Sequence, residues 1–366
     1  MKTDRRTFLV ATGAGLAGCT RGGRRAATGH GFRCPPCGCA MDGERFGAPG
    51  VCPACGMSLE AVREAVLGDD PASLPPGSGV FSLAGGPDRR HHRISVHSYR
   101  PAAFTPTSPI LIVVPGAGRN SGEYRNAWIE TAERTGALIA ALGYPEAAYD
   151  FGAYHLGGVA SRVVQRDPQV ERRERSTVVR LNDDGLDVAV DRDRSRWLFW
   201  DLDRVFGWLR SATGSTRRRY LLFGHSAGAQ IIHRAALFHP ELRADAVVAA
   251  NAGFYTLPLL TRRFPLGLGG VGLNEAHLER AFSVNLTVLL GELDNDDDAG
   301  GTLLHTPALD ADQGHGRLDR GRTFYQVGQR QAERLGSSFS WSLRTVPGVG
   351  HDHVGMGRAA AEILLP

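Results

Sequence analysis

Apolar residues in this chain come in short unbroken runs, separated by segments with helical spacing. Ile110–Val114 is apolar throughout, the pattern of a strand buried on both faces. Residues 137–142, 220–223 and 246–250 repeat it, 286–290 does so but for Thr287, and 94–99 and 339–346 read as further strands. Helical spacing predicts helices over about 123–135, 197–211, 229–238, 322–335 and 357–365. Strands alternating with helices define the α/β class: a mostly parallel sheet covered by helices on both faces, from residue 80 to 366. One stretch, 157–196, breaks the rhythm. It is polar and arginine-rich, and "NDDGLD" suggests a hairpin around Asp184-Gly185. Ahead of the sheet, 60–79 carries Pro71, Pro75, Pro76 and Gly77 and reads as a linker.

The first 19 residues, "MKTDRRTFLVATGAGLAGC", place charged, apolar and small residues in the order of a signal peptide. Their apolar stretch ends at Ala17, far short of the ~20 residues of a membrane span. Arg5-Arg6 resembles a twin-arginine signal, although Asp4 stands where that motif prefers Ser or Thr. Leu16-Ala17-Gly18-Cys19 resembles a bacterial lipobox. That resemblance implies cleavage ahead of a lipid-bearing Cys19 and a place in the cell envelope or outside the cell; an uncleaved N-terminal helix is the alternative. Gly13, Gly15 and Gly18 fit dinucleotide-binding spacing but follow no strand, so they belong to the signal segment. Residues 20–31 read as a linker.

Composition narrows the function classes. With 366 residues and 42% apolar content, the chain can build one large core and a small extra module. The net charge of +4 comes from dispersed arginines, Lys2 being the only lysine, which argues against nucleic-acid binding. All six cysteines lie at or before Cys55, so the large domain folds without disulfides. Within 32–59, Cys34 and Cys37 form one C-x-x-C and Cys52 and Cys55 another, fourteen residues apart. Two such turns complete a tetrahedral Zn²⁺ site with no open position, a structural metal. Two disulfides or a redox dithiol are the competing readings, and Cys39 is left over. The ending Cys52 to Met57 resembles short heavy-metal-binding domains, from which the first half of the module departs.

The chemistry lies in "YLLFGHSAGAQ". Gly224-His225-Ser226-Ala227-Gly228 sits between a strand and a helix, where ligands meet the carboxyl ends of a parallel sheet. G-x-S-x-G there is a nucleophile elbow, which exposes Ser226 Oγ beside a helix N-terminus. The alternative is a glycine-rich turn with an incidental serine. Serine needs a base, and this topology expects the order Ser, acid, His. Asp294 follows the strand at 286–290, and His351 follows the strand at 339–346. Glu292 is expected in a packed face, and Asp296, Asp297 and Asp298 in a solvated acidic loop that lacks the residues of an EF-hand. Ala227 and Ala117 are the expected oxyanion donors, with Gly118 the alternative to Ala117. Asn251 and Tyr255, past another strand end, are candidate pocket residues, with a structural turn and a packed aromatic as the competing reading. The segment 157–196 is expected over the active-site edge.

"PGAGRNSGEYRNAW", "GHSAGAQ", "ANAGFYTLP", "GELDND" and "VPGVGHD" together resemble the polyhydroxybutyrate-depolymerase-like esterases of the α/β-hydrolase superfamily, and also bacterial poly(aspartic acid) hydrolases. Pro115-Gly116 replaces the His-Gly frequent in that family. The resemblance implies Ser226 as nucleophile, Asp294 as acid and His351 as base. The expected function is an exported serine hydrolase of carboxylic esters, including polyesters or their oligomers, with no cofactor in catalysis. An amide-cleaving enzyme is the variant. The competing class is a metal-binding lipoprotein whose hydrolase domain is only a scaffold. Expected partners are the ester or polymer substrate and, through Cys19, a membrane.

Overall fold

The protein is described by a computed structural model covering residues 29–34, 41, 45–46, 50–86 and 92–366. Cys19, Cys37 and Cys39 lie outside the described residues, as does the whole signal segment.

In chain order the strands are β1 (Gly29–Arg33), β2 (Arg45–Phe46), β3 (Glu60–Asp69), β4 (Gly77–Ala84), β5 (Arg93–Arg100), β6 (Ile110–Val114) and β7 (Leu138–Gly143). A detour then holds β8 (Ala160–Gln165), β9 (Gln169–Arg172), β10 (Ser176–Arg180) and β11 (Leu186–Val190). The chain returns through β12 (Tyr220–His225), β13 (Ala244–Ala250) and β14 (Leu286–Gly291), leaves for β15 (Gly301–His305), and ends with β16 (Ser342–Val346). The helices are α1 (Ser121–Asn126), α2 (Ile129–Thr135), α3 (Phe151–Tyr154), α4 (Phe199–Thr213), α5 (Ala227–Phe238), α6 (Glu275–Phe282), α7 (Pro307–Gln313), α8 (Arg317–Leu335) and α9 (His353–Leu364).

Eleven strands form one mixed sheet in the order β16-β14-β13-β12-β6-β7-β5-β4-β3-β1-β2. From β7 to β16 the neighbours are parallel. β6, β7, β12 and β14 are buried along their whole length. The pleat sends alternate residues to two cores. Ile110, Ile112 and Val114 join the core under α4, α5, α6 and α8, whereas Leu111 and Val113 join the core under α1, α2 and α9. Helices on both faces explain the continuous apolar runs. β4 and β5 alternate buried and partly exposed residues because they lie toward the antiparallel side of the sheet.

The sequence reading needs three corrections. The linker expected over 60–79 is a loop only over 70–76, between β3 and β4. Glu60–Asp69 is a strand, paired parallel with β4 and antiparallel with β1, so backbone pairing to a sheet edge orders it despite its charge. The helix expected over 123–135 is two helices, with the buried Trp128 at the break. No hairpin turns at Asp184-Gly185. Asp183–Gly185 is a single 3₁₀ turn, and the strands flanking it pair elsewhere, β11 with β8 and β10 with β9 and β15.

Candidate active site

β12 ends at His225, and α5 begins at Ala227. Ser226 between them has φ 58° and ψ −119°, a left-handed backbone that L residues avoid. The two flanking glycines are fixed by contact. A Cβ on Gly224 would lie 2.6 Å from the Gly228 carbonyl oxygen, and one on Gly228 would lie 1.9 Å from that of Val114. Strand, turn and helix are therefore pressed together without side chains, and Ser226 is held at the sheet's carboxyl edge. Ala227 is the first residue of α5, so its N–H has no partner within the helix.

His351 Nε2 lies 3.0 Å from Ser226 Oγ. On the other side of the ring, Nδ1–H donates to Asp294 Oδ2 at 2.7 Å. The second carboxylate oxygen of Asp294 accepts from Arg317 Nη1 at 2.7 Å, and both side chains are buried. Arg317 Nη2 also donates to the carbonyls of Gly300 and Thr302. One guanidinium thus ties the acid to β15. Burial raises the Asp294 carboxyl, but His351 and Arg317 outweigh it and hold it below the usual carboxylate range. Burial and then Arg317 lower His351, with Asp294 opposing them. The imidazole is consequently neutral at pH 7 and able to accept a proton.

The loop after β6 closes the other side. Ala117 lines a narrow cleft with Ser226 and Ala227, together with Phe151, His155, Gln230 and Phe254. Tyr124 Oη lies 2.9 Å from His225 Nδ1 and would be 2.9 Å from a Cβ on Gly116, so one phenol packs this loop against the elbow. Tyr154 Oη donates to the Pro115 carbonyl at 2.7 Å. These two tyrosines brace the Pro-Gly loop. Burial and the nearby Arg119 push His155 down to about 4, which leaves a neutral imidazole facing the cleft.

The structure brings Ser226, Asp294, His351, Ala117 and Ala227 together. It places Asn251 and Tyr255 elsewhere. Asn251, at φ 51°, accepts from the Gly291 N–H and donates to the Gly350 carbonyl; it fastens the ends of β13 and β14 to the loop carrying His351. Tyr255 is buried in a stack with His233 and Phe324. Glu292 does not enter a packed face but accepts from Thr345 Oγ1. Nor is Asp297 solvated: Arg173, Arg180, His305 and His315 surround it. Arg317 and His155 carry no motif, and only the folded chain brings them to the site; Gln230 closes the "GHSAGAQ" stretch, but its place in the cleft shows only in the fold.

At the N-terminus, Cys34, Cys52 and Cys55 place their sulfurs within 4.8 Å of one another. The 52–57 turn closes through Gly56 N–H to the Cys52 carbonyl and Cys52 N–H to the Met57 carbonyl, with Gly56 at φ +72°. Three converging thiols, two on a tight turn and one just past β1, fit a thiolate-bound metal. No helix among the described residues is long and apolar enough to cross a membrane.

A parallel sheet with a nucleophile elbow on β12, an acid past β14 and a histidine past β16 defines an α/β hydrolase. Neither a protein-family model nor a curated protein sequence matches the chain. Among solved structures, poly(aspartic acid) hydrolase-1 from Sphingomonas sp. KT-1 is 32% identical, covering 80% of this chain and 100% of its own, with a TM-score of 0.67. A poly(3-hydroxybutyrate) depolymerase from Bordetella parapertussis is also 32% identical, covering 79% of this chain and 89% of its own, with a TM-score of 0.67. The chain belongs to this family of depolymerase-like α/β hydrolases.

Proposed function

We propose that the protein is an exported serine hydrolase that cleaves carboxylic ester bonds, with oligomeric or polymeric esters as substrates. The observation that carries this reading is the Ser226 Oγ to His351 Nε2 contact at 3.0 Å, on a histidine oriented by Asp294. Ser226 Oγ attacks the ester carbonyl carbon while its proton passes to His351 Nε2. Asp294 holds the Nδ1–H tautomer and stabilises the imidazolium. The Ala227 and Ala117 N–H groups receive the oxyanion. The alkoxide leaves with the proton from His351, and water, deprotonated in turn by His351, releases the acid and frees Ser226.

The space around the cleft supports a chain-like substrate. The cleft at Ser226 is small, but a second cavity of about 360 Å³ shares Phe254 and Leu304 with it. That cavity runs between the detour, at Leu186 and Val188, and the segment Arg262–Leu266. A substrate longer than one unit can lie across both. An amide substrate is the second reading, favoured by the likeness to a poly(aspartic acid) hydrolase. A non-catalytic scaffold would have no use for a strained serine aligned with a base and a buried acid.

A fluorophosphonate label tests the nucleophile: reaction at Ser226 is expected, and folded protein that stays unlabelled would refute the reading. Parallel rates on ester oligomers, polyester films and poly(aspartic acid) decide between ester and amide. At the N-terminus the reading adds a structural Zn²⁺ on Cys34, Cys37, Cys52 and Cys55 and a lipid anchor at Cys19. Metal analysis of the Cys52→Ser variant and mass spectrometry of the mature N-terminus test those two.

A further inference from the structure

Asp297, His305 and His315 place three ligand atoms within 4.8 Å of one another, away from the cysteine module. They come from the loop after β14, the end of β15 and the turn between α7 and α8. Carboxylates face both nitrogens of His305 and the Nε2 of His315, with Asp310 farther from the His315 Nδ1. His305 Nδ1 lies 2.9 Å from Asp310, and His305 Nε2 lies 3.0 Å from Asp297 Oδ1. His315 has Nδ1 3.6 Å from Asp310 Oδ2 and Nε2 2.9 Å from the same Asp297 Oδ1.

A neutral imidazole offers one N–H and one lone pair. His305 has a carboxylate oxygen at hydrogen-bond distance of both nitrogens, so in either neutral tautomer one lone pair faces an acceptor at 2.9 or 3.0 Å. The Nε2 of His315 converges on the same Asp297 oxygen. A cation removes that conflict. One extra proton on His305 would also remove it, but Arg320 Nη2 lies 3.4 Å from its Nδ1, the His315 ring is 4.3 Å away, and Arg173 and Arg180 already face Asp297. The arginines have other work. Arg173 and Arg180 pair with Asp297 Oδ2, and Arg320 pairs with Asp310 Oδ1. Asp297 Oδ1 and Asp310 Oδ2 are left for the histidines.

We infer that Asp297, His305 and His315 bind one Zn²⁺, with Asp310 as the outer carboxylate that orients His305 through Nδ1. Two nitrogens and one carboxylate oxygen suit zinc, and a histidine ligand that donates its other N–H to a carboxylate is the usual outer arrangement. Zinc bonds of about 2.0–2.1 Å in tetrahedral geometry set ligand atoms about 3.3 Å apart, so the two Asp297–histidine pairs, at 3.0 and 2.9 Å, open by only a few tenths of an ångström. His315 is 55% exposed and free to make that move, and water takes the fourth position. The ion would staple the 294–317 segment, whose first residue is the triad acid and whose last is its arginine partner.

The test is zinc content of the full chain, purified, equilibrated with Zn²⁺ and desalted, for the natural sequence and for His315→Ala. The natural chain is expected to hold one more zinc per chain than the variant, whatever the cysteine module holds. Loading with Co²⁺ should show that the missing site lacks sulfur-to-metal charge-transfer bands. Asp310→Asn should weaken the site about 10–100-fold. Equal zinc in the natural chain and His315→Ala, with both melting alike in the absence of metal, would overturn the inference.

Discussion

All six residues of β12 are buried, and all four residues of β9 are exposed. The first strand belongs to the sheet that carries Ser226. The second belongs to the three-stranded sheet β15-β10-β9, whose β15 lies against the triad. A Cβ on Gly301, at the start of β15, would lie 2.8 Å from His351 Cδ2. The central strands of the main sheet are ordered by apolar burial on two faces. The smaller sheet buries Val178 and Leu303 but exposes all of β9, and relies more on backbone pairing and on charged contacts such as Arg180 and Arg173 with Asp297. Chemistry sits on the first kind of structure, and the second covers it. Cores of this kind tolerate little change of volume or shape, whereas exposed pairs contribute little each.

The largest expected effect removes the acid. Asp294→Asn leaves His351 in the wrong tautomer, and in the serine-protease template that lowers kcat by about 10⁴. Circular dichroism should show the fold intact while turnover of an activated ester collapses. Near-normal kcat would assign the acid elsewhere. Next comes the packing of the elbow. Gly228→Ala drives a Cβ to 1.9 Å from the Val114 carbonyl oxygen, against main chain that cannot yield. We expect a loss of about 3 kcal/mol or more, the upper end of overpacking costs. In the detour, Gly185→Ala meets its nearest atoms at 3.1 and 3.3 Å and should cost about 1 kcal/mol. Denaturant melts of the two variants measure the contrast directly, and equal losses would refute it.

Arg317→Gln probes the seam between the two regions. The charge of Arg317 helps lower His351, so its removal lets the imidazole rise. The base works only when neutral. Activity is therefore lost as pH falls through the pKa of His351, which lies below 6.5 in the natural chain. In the variant the acid limb of the kcat/KM profile should move to higher pH, with kcat reduced about 10–100-fold as Asp294 loses its anchor. A purely structural role would lower the rate without moving the limb.

The residues just varied differ in how plainly the sequence announces them. Ile110–Val114 and 246–250 are legible because burial on both faces leaves an unbroken apolar run. Ser226 is legible because its turn admits only glycine at two fixed places, and Asp294 and His351 because strand ends fix their order. Arg317 is not, since a buried arginine looks like any surface arginine until its partners are known. Nor is Asp297, which sits in a run of aspartates and is picked out only by side chains up to 124 residues away in sequence. β3 was hidden for a related reason: pairing to an edge leaves no periodic apolar signal in a charged segment.

Asp297 and Asp296 separate those two kinds of acid. Asp297→Asn weakens contacts to two arginines and two histidines at a largely buried site, and should cost about 1–3 kcal/mol. Asp296 lies exposed on the same loop, and Asp296→Asn should stay within about 0.5 kcal/mol. Both should keep kcat within about tenfold, because neither touches His351. A thermal melt of each, with rates at saturating substrate, reads both numbers.

The smallest effect lies on the outer surface of the detour. Arg162 Nη2 is 3.2 Å from Asp187 Oδ2, across the β8–β11 pair, and Arg166 reaches the same oxygen at 3.3 Å. Arg162 is 60% exposed and Arg166 55% exposed, so water screens both pairs and the remaining arginine can take over the carboxylate. Arg162→Ala should therefore change stability by no more than about 0.5 kcal/mol. The backbone register of β8 and β11 does not depend on that side chain. The same melt in 1 M salt should bring the natural chain and the variant together, since the Debye length there is about 3 Å. A loss above about 2 kcal/mol, persisting in salt, would mean that the detour has a cooperative core of its own and that the contrast with the main sheet is one of size rather than of kind.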